Sequence, residues 1–286
     1  MNCKREIIDV KDLESFSPLF RGAYGQRFAE WFIKITALDK VNWLYDHSIN
    51  CHGPEFAAGC LKDLGVNYEI GNSERLKMLP EGAFITVSNH PYGALDGIII
   101  IDLMATIRPD YKFMVNRMIS RVKTMKENFI SVIPADNARS PEDGTNSGHI
   151  RETLKHLHEG HPVGFFPSGA VSDFSLKEMR IRDRPWQPGI LHLIRNMKVP
   201  IVPVRFFDTN SLFFYFLGII NWKIRLLRVP AELFNKRGKK IRVGIGNIIS
   251  VDEQKEFADV MSLGAFLRQS VYEMAEPQSF VSRSNL

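Results

Sequence analysis

The first part of the chain carries apolar residues at spacings that keep one face of a helix apolar. The pattern extends from Lys11 to Leu64. It is typical of amphipathic α-helices that pack on a core. The residues that define it are Leu13, Leu19, Phe20, Phe28, Trp31, Phe32, Ile35, Val41, Leu44 and Tyr45. We therefore predict a helical segment over residues 1–78 that packs on the rest of the protein.

From residue 79 onwards, short apolar runs alternate with longer helical ones. Pro80-Glu81-Gly82 is a turn signal, and the run from Ala83 to Ser88 after it has the length and β-branched content of a strand. The other strand-like runs are Lys112–Val115, Phe129–Ile133, Val163–Phe166, Ile201–Phe206 and Ile241–Ile245, and the helix-like runs are Gly97–Ile107, Met118–Met125, Ile150–Leu157 and Gly189–Met197. This alternation predicts an α/β domain over residues 79–276, with a mostly parallel central sheet flanked by helices.

Three stretches depart from this alternation. Ala135 to Ser147 is rich in Asn, Ser, Asp, Gly and Pro, which indicates a mobile flap rather than a domain linker. Residues 277–286 are polar and are predicted to be a frayed tail. Leu212–Trp222 is strongly apolar but shorter than the roughly 18 residues of a membrane span. We expect it to be either a buried core helix or a membrane-facing surface with Arg225 and Arg228 behind it.

The composition indicates a folded protein with an anionic partner. Hydrophobic residues make up 44% and charged residues 24%, which are ordinary globular values. A net charge of +5 suits nucleic acid, a membrane surface or a phosphorylated thioester carrier. Cys3, Cys51 and Cys60 form no CxxC pair, which fits a reducing, cytosolic compartment. Met1–Glu14 is charged and lacks the apolar run of a secretory signal.

The sharpest chemical signal follows the Ala83–Ser88 strand. It reads Asn-His-Pro-Tyr-Gly-Ala-Leu-Asp, with the histidine at His90 and the carboxylate at Asp96. A neutral imidazole can accept the proton of a hydroxyl at neutral pH, and a carboxylate on its other nitrogen would fix the tautomer. A hydrolase triad activates its serine in this way; here the substrate's own hydroxyl would take the place of the serine.

The spacing of His90 and Asp96 sets a condition on the local structure. In one continuous helix, residues this far apart differ by about 240° and would face different ways. The pair can meet only if His90 precedes the helix, with Pro91 and Gly93 forming a non-helical entry and Asp96 near the first turn. Alternatively, Asp96 is a plain helix N-cap and His90 a loop residue bonded to the backbone. The spacing alone leaves both interpretations open.

Two later runs accompany this motif. Residues 165–170 read Phe-Phe-Pro-Ser-Gly-Ala, and residues 199–204 read Val-Pro-Ile-Val-Pro-Val. In this order the three runs resemble the acyltransferases that make phosphatidic acid and related lipids, and the resemblance covers residues 83–249. It implies transfer of a fatty acyl group from a thioester to a lipid hydroxyl, with His90 as general base and Asp96 as its partner.

The resemblance also implies which residues contact the substrates. Donors near Ser168 and Gly169 would polarise the thioester carbonyl. The full set of predicted substrate-binding residues is Asn89, Tyr92, Gly93, Pro167, Ser168, Gly169, Arg180, Arg182 and Gly189. Ser168 lacks the Gly-x-Ser-x-Gly elbow of a hydrolase nucleophile, which favours direct transfer over an acyl-serine.

The sequence departs from the family pattern in ways that remove charge. Five residues separate His90 from Asp96, where the family has four. Ser168 replaces the family's glutamate, Val171 replaces its arginine, and residues 133–136 lack the arginine of an earlier strand. A phosphomonoester is normally met by charge-assisted contacts, so these changes argue against a simple lysophosphatidate acceptor. The arginines that would compensate are Arg139, Arg180 and Arg182.

The extended motifs look closer to one bacterial branch of the family, once labelled haemolysin-like. These motifs are Asn-His-Pro-Tyr-Gly-x-Leu-Asp-Gly and Phe-Pro-Ser-Gly-Ala-Val-Ser. The branch includes the O-acyltransferases of ornithine-lipid and glycine-lipid synthesis, which implies the hydroxyl of a 3-hydroxyacyl amino acid as the acceptor. The alternatives are a lysophosphatidate acyltransferase and, from another class, a non-catalytic lipid-binding protein.

The remaining signals concern cofactors and partners. We predict no metal, because the histidines between His149 and His161 place no carboxylate-supported pair on one helix face; we interpret them as surface residues. The basic run 223–242 fits anionic lipid or an acidic acyl carrier, and no nucleic-acid motif accompanies it. We expect no bound cofactor, an acyl-carrier-protein or coenzyme A thioester as cosubstrate, and a peripheral position on the cytoplasmic face of the inner membrane.

Overall fold

A central sheet organises the protein in the computed structural model, which describes residues 6–116, 119–132 and 145–286. The strands are β1 (Asn67–Gly71), β2 (Ile85–Ser88), β3 (Lys112–Asn116), β4 (Phe129–Val132), β5 (Val163–Phe165), β6 (Asp173–Ser175), β7 (Arg180–Arg182), β8 (Ile201–Phe206), β9 (Lys240–Ile245) and β10 (Phe280–Ser282). Eight of them form the sheet in the order β10-β1-β9-β8-β2-β5-β3-β4, and β6 pairs with β7 in a separate antiparallel hairpin.

Most neighbouring strands of the sheet run parallel. The pairs β1–β9, β2–β5, β2–β8, β3–β4 and β3–β5 are parallel, whereas β8–β9 and β1–β10 are antiparallel. Parallel neighbours need long crossover connections, and these carry the helices that cover both faces. The predicted α/β class with a mostly parallel central sheet is therefore confirmed.

Two hydrophobic cores lie on opposite faces of this sheet. The helices are α1 (Val10–Phe16), α2 (Gly22–Ile35), α3 (Leu38–His47), α4 (Gly53–Leu64), α5 (Ala94–Ile100), α6 (Thr145–His158), α7 (Pro188–Met197), α8 (Leu212–Ile220), α9 (Trp222–Phe234), α10 (Val251–Lys255) and α11 (Val260–Tyr272). Side chains alternate along a strand, so Val202 and Val204 of β8 join the core under α4 and α5. Ile201 joins the other core, under α7 and α11.

The N-terminal segment is helical, as expected, but it also contains a strand of the sheet. α1 and α2 pack together around Leu13, Phe20 and Ala29. β1, which lies inside the range predicted to be helical, pairs with β9 over its whole length. A boundary at residue 78 therefore cuts through the sheet and needs correction. The sequence pattern did not reveal β1, because it is a short strand between a helix and a turn and its partner β9 lies more than 170 residues later.

The tail predicted to be frayed is tied into the fold, which corrects the second domain boundary. β10 pairs antiparallel with β1 and forms the edge of the sheet. Arg283 then donates a hydrogen bond of 2.9 Å from Nε to Asp102, a buried carboxylate that also accepts from the Tyr68 hydroxyl. Composition alone did not reveal this, because both partners lie far away along the chain.

Several predicted elements differ in detail. The predicted helix Gly97–Ile107 is α5, which starts earlier at Ala94, followed by a π-helical turn over Ile101–Ala105. Within the described part of Met118–Met125 there are 3₁₀ turns rather than an α-helix. Most of the flap predicted at 135–147 lies outside the described residues, and so does Arg139.

The sheet order brings three loops to one edge. β2 lies between β5 and β8. These strands are parallel, so their carboxyl ends meet at the same edge, where ligands gather in α/β folds. The loop after β2 carries His90, the loop after β5 carries Ser168, and β8 ends at Phe206 beside them. The candidate site lies at this edge.

Candidate active site

His90 and Asp96 meet across the turn between β2 and α5. His90 lies before the helix and Asp96 in its first turn, and His90 Nδ1 is 2.9 Å from Asp96 Oδ2. This distance is within hydrogen-bonding range, although the ring N–H lies off the line between the two atoms. Asp96 is completely buried, whereas the His90 side chain retains 14% exposure. The predicted proximity of the pair is confirmed.

Asp96 also holds the turn that carries His90. The same Oδ2 accepts the backbone N–H groups of Tyr92 at 2.8 Å and of Gly93 at 3.0 Å. Gly93 has a φ of 86°, and a side chain there would press against Val229 and Val171. Asp96 is thus not the N-cap itself: it is the third residue of α5, it accepts the N–H of the N-cap Gly93, and the same oxygen faces the imidazole. Its catalytic role stays a prediction.

The surroundings of Asp96 and His90 determine the pKa of the carboxyl group and the orientation of the imidazole. Complete burial raises the pKa of the Asp96 carboxyl, and the donors at His90, Tyr92 and Gly93 oppose that rise. Because Nδ1 faces the carboxyl group, Nε2 on the other edge of the ring is left for a substrate. The ring stacks on Phe166, with centroids 3.9 Å apart. The carboxyl group and the stacking together fix both the position and the tilt of the imidazole.

A second buried carboxyl group, on Asp183, lies behind His90. Asp183 Oδ1 accepts the backbone N–H of His90 at 3.2 Å and the hydroxyl of Ser172 at 2.6 Å. Ser172 in turn donates its backbone N–H to the carbonyl of His90 at 2.8 Å. Burial raises the pKa of Asp183. Sequence analysis did not identify Asp183, because an aspartate between Arg182 and Arg184 looks like part of a surface ion pair.

The loop after β5 is held by hydrogen bonds within itself. The buried Ser168 donates its hydroxyl hydrogen to the carbonyl of Ala170 at 2.9 Å. Gly169 has a φ of 66°, and a side chain there would collide with Gln187. Its N–H donates to the carbonyl of Phe166 at 2.9 Å, so this particular N–H is already engaged, and a donor near Ser168 and Gly169 for the thioester carbonyl stays a prediction. Pro167 is buried and accepts the N–H of Gln187.

Two residues predicted to bind substrate make contacts within the fold instead. Asn89 donates from Nδ2 to the carbonyl of Phe206 at 2.9 Å and accepts the N–H of Phe206 at 2.8 Å, which ties β2 to β8. Tyr92 is 3% exposed, with its ring against Phe206 and 5.3 Å from Lys236 Nζ. Both residues position the turn and do not line the cavity described below.

The predicted arginines of β7, both in the described part of the chain, form no hydrogen bond or ion pair with His90 or Asp96 and make other contacts. Arg180 is exposed, and Arg182 pairs with Glu178 at 3.4 Å and lies over the ring of Tyr272. A different arginine reaches the loop between β5 and β6, residues 166–172, here called the motif loop. Arg225 of α9 is almost completely buried, donates to the carbonyl of Ser172 at 3.0 Å and forms an ion pair with Asp173.

Much of the basic run 223–242 is paired within the protein. Besides Arg225, the buried Lys236 lies 3.1 Å from Glu232, Lys240 lies 2.7 Å from Glu69, and Arg242 lies 2.6 Å from Asp208. The run was expected to present a free cationic surface. The structure corrects this for the side chains just named. Their partners Asp173, Glu69 and Asp208 lie outside the run, whereas Glu232 lies within it, one helical turn before Lys236.

An apolar cavity of about 670 Å³ opens at the imidazole. His90, Gly93, Phe166, Gly169 and Gly189 are among the residues that line it. Beyond them the wall consists mainly of aliphatic and aromatic side chains from α3 to α7 and from β3 to β5. Of the predicted substrate-binding residues, Gly93, Gly169 and Gly189 reach this cavity, and each is a glycine. Such a cavity suits a fatty acyl chain.

Two of the four histidines near α6, His156 and His161, contact Asp110. His156 Nε2 lies 2.9 Å from the carbonyl oxygen of Asp110, and His161 Nδ1 lies 2.8 Å from the Asp110 carboxylate. In the described parts of the chain no three His, Cys, Asp or Glu side chains are grouped as metal ligands. The absence of a metal stays a prediction.

The family model described as Acyltransferase matches residues 18–278, and the chain belongs to that family. The predicted family and the prediction that the chain is an enzyme are thus confirmed.

Two curated bacterial relatives bear a more specific name. The chain is 25% identical to a lyso-glycine lipid O-acyltransferase of Bacteroides thetaiotaomicron, over 76% of this chain and 78% of the relative. It is 24% identical to a lyso-glycine lipid O-acyltransferase of Phocaeicola vulgatus, over 94% of this chain and 95% of the relative. Among solved structures, the 1-acyl-sn-glycerophosphate (LPA) acyltransferase of Thermotoga maritima matches with a TM-score of 0.46 and 14% identity, over 85% of this chain and 90% of that one.

The raised pKa of Asp183 leads to a prediction about stability and pH. We expect Asp183→Asn to raise the thermal midpoint at neutral pH, because the amide oxygen still accepts from His90 and Ser172 while no charge is buried. The wild-type folded state holds a proton that the unfolded chain releases above about pH 3.9, so wild-type stability falls as pH rises through that window. Calorimetry from acid to neutral pH measures the thermal midpoint, which shifts by about 2–4 °C for each kcal/mol of stability.

The control for this experiment is Asp252→Asn. Asp252 is fully exposed, and Lys255 lowers the pKa of its carboxyl, so its replacement shifts the midpoint in the opposite direction or not at all. The difference between Asp183→Asn and wild type should vanish below the unfolded pKa. A variant that melts lower than wild type at neutral pH contradicts the assignment of a burial-dominated carboxyl.

Proposed function

We propose that this chain transfers a fatty acyl group from an acyl thioester to the hydroxyl of a lyso-aminolipid, an N-(3-hydroxyacyl) amino acid of the lyso-glycine-lipid type. The observation that carries the proposal is the position of His90, which faces Asp96 on one edge and an apolar cavity on the other. A base at the mouth of an acyl-sized cavity is what hydroxyl acylation requires.

The proposed reaction needs His90 as its proton carrier. Nε2 takes the proton of the acceptor hydroxyl as its oxygen attacks the thioester carbonyl and forms the new C–O bond. The C–S bond then breaks, and the imidazolium returns the proton to the departing thiolate. Asp96 stabilises the transient imidazolium across 2.9 Å, and the Phe166 ring holds the imidazole in place.

The choice of an aminolipid acceptor rests on two supports. Two relatives that align over most of their lengths bear the name lyso-glycine lipid O-acyltransferase. In addition, the motif loop lacks the charges that a phosphomonoester would need, since Ser168 is turned toward Ala170 and Arg225 is already engaged by Ser172 and Asp173. Lysophosphatidate remains the rival acceptor. Acyl-carrier-protein and coenzyme A thioesters present the same reacting group, and both are proposed donors.

We also propose that the outer face of α8 and α9 lies on a membrane, at the cytoplasmic face. No described helix is long and apolar enough to cross a bilayer. The outer face consists of Leu212, Phe213, Phe216, Ile219, Ile220, Trp222, Ile224, Leu226 and Leu227, each between 43% and 82% exposed. An apolar patch of this extent on a protein surface marks an interaction site. Phe214 and Tyr215 point into the core and do not belong to it.

The catalytic assignment predicts the effect of removing the base. We expect His90→Ala to lower acyl transfer by about a thousandfold, since general-base catalysis contributes about 10² to 10⁴. Asp96→Asn should lose nearly as much, because its amide keeps an acceptor for the turn but cannot stabilise an imidazolium. Radiolabelled acyl transfer measures both, and His192→Ala, at an exposed histidine of α7, is the matched control. Full acyl transfer by a folded His90→Ala protein would overturn the role of His90, whereas a wild type that binds lipid without any transfer would support the lipid-binding alternative.

The acceptor assignment predicts a preference in direct competition. With N-(3-hydroxyacyl)glycine and lysophosphatidate at equal concentration and a common acyl donor, we expect the aminolipid to be acylated at least about tenfold faster, the ratio that 1.4 kcal/mol of differential transition-state binding gives. Mass spectrometry of the two products reads out the ratio. Faster acylation of lysophosphatidate overturns the acceptor while leaving the role of His90 intact.

The membrane assignment predicts the effect of two exposed aromatics. Phe213→Ser with Phe216→Ser should weaken sedimentation with anionic liposomes by about tenfold or more, because a large apolar side chain moved out of water contributes roughly 1.5–3 kcal/mol. Transfer to a detergent-soluble acceptor should be largely retained. The matched control replaces Met78 and Met261, exposed methionines on other surfaces, with Ser. Equal sedimentation of all three proteins would place the anchor elsewhere, with the N-terminal helices next in line.

A further inference from the structure

The cavity at His90 extends onto both faces of the central sheet. Its wall includes Phe113 and Val115, which belong to the core under α4 and α5. It also includes Met114, which lies between them on β3 and packs against the core under α7 and α11. Alternate residues of a strand point to opposite faces, so one cavity lined by all three must pass around the carboxyl end of this strand.

The two parts of the cavity have different walls. The first, here called the α4 arm, is bounded by Tyr45 of α3, Phe56 and Cys60 of α4, and Gly97 of α5. Ile7 and Ile8 also line the cavity, and their backbone N–H groups both donate to the Asn42 side chain.

The second part, here called the α7 arm, lies on the other face. It is bounded by Leu154 of α6, by Gly189, Ile190 and Leu193 of α7, and by Met114. The two arms join at His90, Phe166 and Gly169. The imidazole thus stands where two apolar channels meet.

We infer that the two arms hold the two hydrocarbon chains of the reaction, the acceptor chain in the α4 arm and the donor chain in the α7 arm. This rests on the proposed function, in which both substrates carry a long chain and must meet at one base. The α4 arm is walled by α3 and by Leu233 of α9, and both helices also present exposed apolar residues to the outside. A lipid acceptor leaving a membrane would enter from that side.

Each arm has one glycine that keeps it open. Among the described residues, no atom lies within 4 Å of a Cβ built on Gly97 or on Gly189. Neither glycine has a positive φ, and both lie in helices, so a larger residue is tolerated by the backbone. Both glycines line the cavity, Gly189 at an exposed position, so a leucine at either would narrow its own arm without meeting another part of the protein.

The test measures chain-length profiles of Gly97→Leu and Gly189→Leu. Donor thioesters from decanoyl to octadecanoyl are tried with one acceptor, and N-(3-hydroxyacyl)glycines of the same lengths with one donor. A leucine excludes about four methylenes, and each costs about fourfold, so kcat/KM for the longest chain should fall about 250-fold in one series only. Gly97→Leu should affect the acceptor series and Gly189→Leu the donor series, and each variant is the control for the other.

Each result supports or overturns the assignment. If both variants shift the same series, or neither shifts any, the two-arm arrangement is wrong. The reverse pattern overturns the allocation of the chains. Gly97→Ala and Gly189→Ala provide smaller steps of the same kind should a leucine variant fail to fold, and thermal melting checks this.

A second readout does not need turnover. Native mass spectrometry with hexadecanoic acid should show two bound chains in the wild type and one in each leucine variant. A wild type that binds two chains yet acylates neither acceptor refutes the proposed function and leaves the two arms standing. A wild type that transfers acyl groups but binds one chain refutes the arms alone.

Discussion

The structure of the site depends on one buried carboxyl group, that of Asp96. A charge without exposure needs partners close by, and the chain supplies them from the turn just before it. The backbone N–H groups of Tyr92 and Gly93 and the imidazole of His90 converge on one oxygen. The turn, the start of α5 and the orientation of the base are therefore one arrangement, so a change in any of them disturbs the others.

Helix α9 connects this arrangement to the surface. Arg225, Val229 and Leu233 recur at helical spacing on its inner face, where they reach the motif loop, the Gly93 turn and the cavity. Its outer face carries exposed apolar residues. One helix thus borders both the catalytic turn and the proposed membrane surface. Lys236, just beyond it, lies over the ring of Tyr92.

The departures from the family pattern are consistent with one another. The loop after β5 carries Ser168 and Val171 where charged residues are usual, and the nearby cation of Arg225 is neutralised internally. What surrounds His90 is a largely apolar cavity. Such a site gains its binding free energy from hydrocarbon chains, because removing apolar surface from water needs no matching charge.

The sequence by itself determined the α/β class, most of the strands and the condition under which His90 and Asp96 can meet. Hydrophobic periodicity encodes secondary structure, and these two residues are separated by a single turn. The tertiary structure alone decided which residues of the motif face the cavity and which serve the core. Asn89 bonds to Phe206, Asp183 reaches His90 across 93 residues, and the last strand completes the sheet beside β1. These contacts depend on the order of strands in the sheet, and local spacing carries no information about that order.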